Sequence, residues 1–458
     1  MMTPTSQHFC SRNGQLLWFF ASLMLLAMTT WLPARGDDFQ ANYDEARIPA
    51  YELPGLLTTE SGEKVTTPSQ WAARRSEILE LFEQHVFGRM PSERRIQTEV
   101  VRRDASFNEG KTIRYELNVK ILPPRRDSAN SDAVEKSLTV QVLVDVPAGA
   151  IEAVPAFFGL NFAGNHTVTN DPNVRVTESW VADRPQAKSD RNRATEAGRG
   201  TSASRWPMEL INERGYAVIT AYYGDIDPDF DDNFKNGVHG LMADYLAGLP
   251  VDERGGSIAG WAYGMSCVLD AIEQTPSLGI DASRVAVLGH SRLGKTALWA
   301  GASDPRFSLV ISNDSGCGGA ALSRRAIGET VGRINTSFPH WFCDGFLKYN
   351  RNENSLPVDS HQLIALAAPR GIAIGSATGD QWADPKGEFL AAKHASPVYE
   401  LLGLKGLRDS EGKAPDEMPT ADGAFANGMI HYHLRSGPHD LQTADWLRYL
   451  SFADRLLK

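Results

Sequence analysis

Cysteine is scarce in this chain, with four in 458 residues at positions 10, 267, 317 and 343. A small disulfide-stapled scaffold is therefore excluded. No Cys-x-x-Cys or His-x-x-x-His spacing offers a metal site, so neither a metal nor a cofactor is expected. An excess of basic charge is missing too. Lys and Arg number 46 against 56 Asp and Glu, a formal charge of −10, and such a surface is repelled by nucleic acid and by anionic membranes. There is no repeat with a period of about 20 to 50 residues and no long low-complexity linker. What is present is an ordinary globular composition, 42% hydrophobic and 22% charged, which one large domain satisfies.

The first 36 residues stand apart. Arg12 precedes an apolar run from Leu16 to Leu32, and Pro33-Ala34-Arg35-Gly36 follows before the acidic Asp37-Asp38. That order reads as a signal peptide. The alternative is an uncleaved anchor, because the run is nearly long enough to cross a bilayer. No later segment is that apolar, so no integral span is expected after cleavage, and secretion to the periplasm or the medium follows. Without the leader the chain has 44 basic and 56 acidic residues, a charge of −12. Cys267, Cys317 and Cys343 remain, which allows one disulfide and one free thiol; Cys317 with Cys343 is the preferred pair by position.

From residue 37 to 458 a single domain is expected. An irregular lead-in to residue 66 gives way to helical spacing from Trp71 to Phe87, with Ile78, Leu79, Phe82 and Val86 on one face. Strand patterns follow at Ser137–Val146, Val154–Leu160, Tyr216–Tyr222, Arg284–Leu288, Leu309–Ser312 and Gly371–Ala377. Helical stretches lie around 257–274, 293–303 and 358–367. Apolar strands separated by helices predict an α/β sandwich of three layers with a mostly parallel central sheet. The polar stretch at about 170–205 predicts a surface insertion near the mouth of a site, or a solvated loop without a role.

One segment carries chemistry. Arg284 to Ala302, RVAVLGHSRLGKTALWAGA, runs from a buried strand through Gly289-His290-Ser291-Arg292-Leu293-Gly294 into a helix. A serine on so sharp a turn is held in a strained conformation with its hydroxyl exposed. The helix N-terminus behind it favours an oxyanion. The fit to Gly-x-Ser-x-Gly is imperfect, since Leu293 takes the last glycine position and Gly294 comes one residue late. Gly289 to Thr296 also fits the phosphate loop of nucleotide triphosphatases. Against that rival stand its late position, the expected export, and the lack of an obvious downstream strand ending in a magnesium-binding aspartate.

An activated serine needs a base and an acid, in the chain order serine, acid, histidine for this fold. His439, on the Gly437-Pro438 loop, is the candidate base. His431 and His433 alternate as packed or exposed strand residues would. Asp380, in the turn after Gly371–Ala377, and Asp314, after Leu309–Ser312, compete to be the acid, and chain order favours Asp380. The segment Gly224–Asp232, GDIDPDFDD, lacks the glycine and glutamate of a calcium loop and reads as a solvated acidic loop.

Several longer motifs together carry a resemblance. They are Gly289 to Lys295, Ser315-Gly316-Cys317-Gly318-Gly319-Ala320, Phe338-Pro339-His340-Trp341-Phe342, Leu356-Pro357-Val358-Asp359 with His361, and Asp380-Gln381-Trp382-Ala383-Asp384-Pro385. The chain resembles the bacterial branch of the glucuronoyl esterases, carbohydrate esterase family 15, from Asn42 to Trp446. The family's serine pattern has the displaced glycine and the lysine, and His290 replaces the cysteine of fungal members. The resemblance implies hydrolysis of the ester between xylan-borne (4-O-methyl)glucuronic acid and lignin alcohols, so the expected partner is glucuronoxylan or a lignin–carbohydrate ester. It further implies that Arg292 stabilises the oxyanion, that Lys295 and Glu329 bind sugar hydroxyls, and that Trp382 lies along the ring. Family members carry the acid at one of two sites, and this chain has a carboxylate at both. Two other readings remain open: an esterase removing acetyl groups from xylan, and a non-catalytic polysaccharide-binding protein. A monomer is expected.

Overall fold

The computed structural model describes residues 39–125 and 136–458; the expected leader over residues 1–36 lies outside them. Ala41–Lys458 forms one compact unit. Its strands are β1 (Arg95–Asp104), β2 (Thr112–Leu122), β3 (Leu138–Pro147), β4 (Val154–Asn161), β5 (Ala217–Tyr222), β6 (Ile280–His290), β7 (Leu309–Asn313), β8 (Gly371–Ala377), β9 (Ala424–Phe425) and β10 (Ile430–Arg435). Among the described residues they make one sheet in the order β1-β2-β3-β5-β4-β6-β7-β8-β10-β9. From β5 to β10 the pairing is parallel; β1, β2 and β3 extend one edge in antiparallel fashion and β9 closes the other. This is the α/β-hydrolase arrangement, a mostly parallel sheet covered on both faces.

The central strands are mostly apolar, β6 from Val285 onward, because both faces are buried there, and side chains alternate between two cores. Val285 and Val287 of β6 join Ile219 of β5 and Val310 of β7 on one face, beneath the helices Ser257–Glu273 and Arg292–Ser303. Ala286 and Leu288 join Val218, Leu309 and Ile311 on the other, beneath Thr443–Leu457. On that face Trp446 packs edge-on against Phe157 at 5.4 Å and donates its indole N–H to the Arg205 carbonyl at 2.9 Å.

The expected helix from Trp71 begins earlier, at Pro68, where Thr67 and Gln70 form a capping box. It runs as α-helix to Phe82, widens to a π turn over Glu83–Phe87, and Leu81 rather than Leu79 is buried. Helix 358–367 is shorter than expected, Ser360–Ala365, and is capped by Asp359. The expected Cys317–Cys343 disulfide does not form. Both thiols are buried and free. Cys343 Sγ faces the Gln84 carbonyl at 3.9 Å, whereas Cys317 lies in the loop beyond β7 and pairs its backbone with Ala321.

The register of the parallel strands sets the site. His290 pairs with Asn313, and Asn313 with Gly375, so the carboxyl ends of β6, β7 and β8 come level. Ser291, Asp314 and Asp380 leave these ends, and His439 follows β10 beside β8. In a parallel sheet these loops gather on one side, where ligands bind.

Candidate active site

Ser291 sits at φ 58°, ψ −128° between β6 and the helix Arg292–Ser303. Such a conformation costs about 1–3 kcal/mol and persists only where the surroundings impose it. Here the Ser291 N–H donates to the Asn313 carbonyl at 2.9 Å, and the Ser291 carbonyl accepts from Gly294 N–H at 2.8 Å. The turn is so tight that a Cβ on Gly289 would lie 1.8 Å from the Leu293 carbonyl oxygen, and one on Gly294 would press on Ser315 Cβ at 3.0 Å. The glycine that spoils the simple motif is thus required one residue later. Lys295 is also not presented as in a phosphate loop, because its Nζ is buried and donates to the Ser315 carbonyl at 2.6 Å.

His439 lies beyond β10 with its side chain 42% exposed, and its Nδ1 meets Asp380 Oδ2 at 2.6 Å. Asp380 is 5% exposed. Nδ1 is therefore occupied, which leaves Nε2 as the nitrogen able to take a proton from a serine. His290 packs its ring on His439 at 4.4 Å between centroids and holds Asn313 Oδ1 through Nδ1 at 2.7 Å. Burial, with the charge of His439 next, drives the His290 pKa well below its ordinary value, so a neutral ring backs the base. The histidines expected as strand residues, His431 and His433, are packed. His433 Nε2 meets Asp445 at 2.9 Å and His431 at 3.1 Å lies against His433 Nδ1.

Asp314 occupies the end of β7 at φ 46° and is 2% exposed. Its Oδ2 accepts from Asp440 N–H at 3.3 Å, and its Oδ1 meets no hydrogen-bond partner among the described residues. Burial pushes its carboxyl well above the usual range, and the charges of Glu388 and Asp380 add to the effect. Ligand-type atoms of Asp314, Asp380 and His439 lie within 4.8 Å of one another.

A cavity of about 350 Å³ joins these groups to Arg292, Lys295, Glu329 and Trp382. Lys295 Nζ lies 3.4 Å from Glu329 Oε2. Trp382, 37% exposed, stands at the rim, and its carbonyl accepts from Glu329 N–H at 3.0 Å. All eight residues singled out from the sequence thus meet in one place.

Other parts of the site were not anticipated. The segment 224–232, expected to be a solvated acidic loop, turns inward at its first three aspartates: Asp225 and Asp227 are buried, and the Asp229 side chain is 4% exposed. Each is drawn in by donors. Asp225 Oδ1 accepts from Ser179 at 2.6 Å and Thr177 at 3.1 Å, both in the polar stretch at 170–205. Asp227 holds Ser257 at 2.6 Å and His239 at 2.8 Å, and Asp229 holds Arg292. Position after β5, at the carboxyl edge of the sheet, was the available signal. Glu388, on the helix Pro385–Leu401, accepts the N–H groups of Ser315 and Gly316, both at 2.9 Å, and had no sequence signal.

A strained serine, a histidine beyond a parallel strand and an acid beyond its neighbour, on a mostly parallel sheet, make the arrangement of an α/β-hydrolase. A family model for glucuronyl esterases of fungi matches residues 247–403. The structure of a promiscuous CE15 esterase from the marine bacterial metagenome is 45% identical with a TM-score of 0.81, over 91% of this chain and 100% of that one. A glucuronoyl esterase from Solibacter usitatus is 42% identical with a TM-score of 0.79, over 91% and 100%. The 4-O-methyl-glucuronoyl methylesterase of Schizophyllum commune is 27% identical over 396 residues, 83% of this chain and 82% of the relative. The chain belongs to carbohydrate esterase family 15 and is a carboxylic ester hydrolase.

Proposed function

We propose that this protein is a serine esterase that cleaves the ester between xylan-borne (4-O-methyl)glucuronic acid and a lignin alcohol. The observation that carries the reading is the cavity in which the Ser291 turn and the His439–Asp380 pair face two cations, Arg292 and Lys295, with Glu329 and Trp382. Cations and a carboxylate suit an oxygen-rich uronate better than a small acetyl group, and an exposed indole suits the face of a sugar ring.

In this reading Ser291 Oγ attacks the C6 carbonyl carbon while its proton passes to His439 Nε2, and Asp380 stabilises the resulting imidazolium. The carbonyl oxygen becomes an oxyanion, met by the leading N–H groups of the helix and by Arg292. Collapse breaks the C6–O bond as His439 gives the proton to the departing alcohol. Water then attacks the acyl carbon as His439 takes its proton, the bond from that carbon to Ser291 Oγ breaks, His439 returns the proton to Oγ, and the free acid leaves. Lys295 and Glu329 hold sugar hydroxyls, and Trp382 lies along the ring. The apolar leader supports secretion, which brings the enzyme to plant polymer; among the described residues no helix is long and apolar enough to cross a membrane.

Purified enzyme given benzyl glucuronate and an aryl acetate tests the substrate. A higher kcat/KM for the uronate is expected, and a many-fold preference for acetate overturns the assignment. Ser291→Ala is expected to fall to the background rate. Parent and variant releasing product equally would refute the catalytic reading and favour a binding protein.

A further inference from the structure

Arg292 is held by a buried carboxylate and three aromatic rings. Its Nη1 donates to Asp229 Oδ2, and its guanidinium lies 4.7 Å from the centroid of Trp341, 5.6 Å from Phe338 and 5.9 Å from Phe162. Trp341 and Phe338 are themselves stacked, 3.7 Å apart and within 3° of parallel. Asp229 Oδ2 also accepts from Tyr223 OH at 2.8 Å, while its Oδ1 accepts from Trp341 Nε1 at 2.7 Å and faces His340 Nε2 at 3.0 Å. Burial opposes ionisation of Asp229, but the His340 hydrogen bond, the Arg292 charge and the Trp341 and Tyr223 bonds outweigh it and hold the carboxyl well below the usual range. The result is a buried carboxylate whose Oδ2 is shared by Arg292 and Tyr223 and whose Oδ1 faces Trp341 and His340. Arg292 Nε is buried and meets no partner among the described residues, and the side chain lines the cavity.

We infer that Asp229 is a positioning residue for the reaction: it fixes the Arg292 fork so that the donors not spent on Asp229 meet the developing oxyanion. The inference rests on the role given to Arg292 above. A guanidinium has five donors in a rigid plane, so anchoring one edge and flanking the rest with rings sets the direction of the others. A donor aimed in advance is worth far more than one that must be ordered at the moment of reaction.

Asp229→Asn is close to isosteric. Its Oδ1 can keep Trp341, but its amide turns a donor toward Arg292 Nη1, so the fork is pushed away. The expected result is a loss of about tenfold to a hundredfold in kcat with KM within about twofold. Asp229→Glu, which keeps the charge, is expected to recover part of that loss. The decisive comparison is Arg292→Met against Arg292→Met/Asp229→Asn. If Asp229 acts through Arg292, the double variant is no slower than Arg292→Met, within about twofold. It also leaves no unpaired buried charge, so the comparison survives if Asp229→Asn alone folds poorly. A double variant slower by the full product of the two single losses, or an Asp229→Asn enzyme with parental kcat, overturns the inference. Parental kcat in Arg292→Met instead overturns the role of Arg292 itself, and the inference falls with it.

Discussion

Replacing Asp380 separates the two candidate acids. In the proposed reaction His439 takes the serine proton, and an imidazolium forms against the buried Asp380 carboxylate 2.6 Å from Nδ1, the imidazole itself being 42% exposed. Two unit charges about 4 Å apart at an effective dielectric of about 20 are worth about 4 kcal/mol. At about 1.36 kcal/mol per decade, that is roughly a thousandfold in kcat for Asp380→Ala. Asp380→Asn is expected to be worse, about ten-thousandfold, because its amide N–H can fix the wrong histidine tautomer. Asp314 makes no bond to the base, and burial together with Glu388 and Asp380 favours its neutral form. Asp314→Asn should therefore lose less than about tenfold. Initial rates on benzyl glucuronate at neutral pH, with Ser291→Ala as background, measure all three. A larger loss from Asp314→Asn than from Asp380→Asn, or an Asp380→Ala enzyme keeping over a tenth of its rate, would refute the reasoning.

Two further outcomes follow from buried charges. Burial raises the Glu388 carboxyl from 4.5 to about 7, against hydrogen bonds from Ser376, Gly316 and Ser315 that lower it. The folded state then holds a proton that the unfolded chain releases above pH 4.5, so this contribution is full below 4.5 and is lost as pH rises through 7. The loss is about 3 kcal/mol. Melting temperatures measured at about pH 5 and about pH 8 should therefore differ less in Glu388→Gln than in the parent; an unchanged difference would exclude Glu388 as the source. The second concerns Lys295 and Glu329, buried 3.4 Å apart. Lys295→Met leaves a lone buried carboxylate, at a cost of about 3–5 kcal/mol, which Lys295→Met/Glu329→Gln should largely restore. Equal melting temperatures for the two variants would show that Glu329 gains no stability from Lys295.

The parallel core of the fold was legible because strands buried on both faces read as short apolar runs, and β4 to β8 were found within a few residues. At the sheet edge the signal weakens. β1, RIQTEVVRRD, is polar on both sides and has no buried residue, so period-two alternation is absent. β2 does alternate, with Tyr115, Leu117, Val119 and Ile121 all buried, and could have been found. The Ser291 turn, Asp380 and His439 were legible because each stands on a distinctive local pattern. Asp229 was not, because a buried acid and a solvated one look alike in a string of aspartates. What distinguishes them is the donors contributed by Tyr223, Arg292, His340 and Trp341 from other parts of the chain. The disulfide failed for a related reason: spacing along the chain says nothing about which way two thiols face.

Charge compensation, rather than position, is what favours Asp380 over Asp314 in the proposed mechanism. Asp314 feels the charges of Glu388 and Asp445, and all three are buried. Arg435 is the cation that acts on Asp314, and it is committed elsewhere. Its Nε donates to both Asp445 oxygens at 3.1 and 2.9 Å, and its Nη2 donates at 2.9 Å to the carbonyls of Pro438 and Asp440, which flank His439. Asp314 Oδ2 lies 3.6 Å from the same Nη2, too far for a good hydrogen bond. Glu388 is met by two backbone N–H groups and two hydroxyls, whereas Asp314 has only the long bond from Asp440. With one arginine shared this way, the carboxyl with the poorest donors is the one best left protonated. That condition picks out Asp314, and it leaves Asp380, bonded to Nδ1, as the group able to answer the charge that forms on His439.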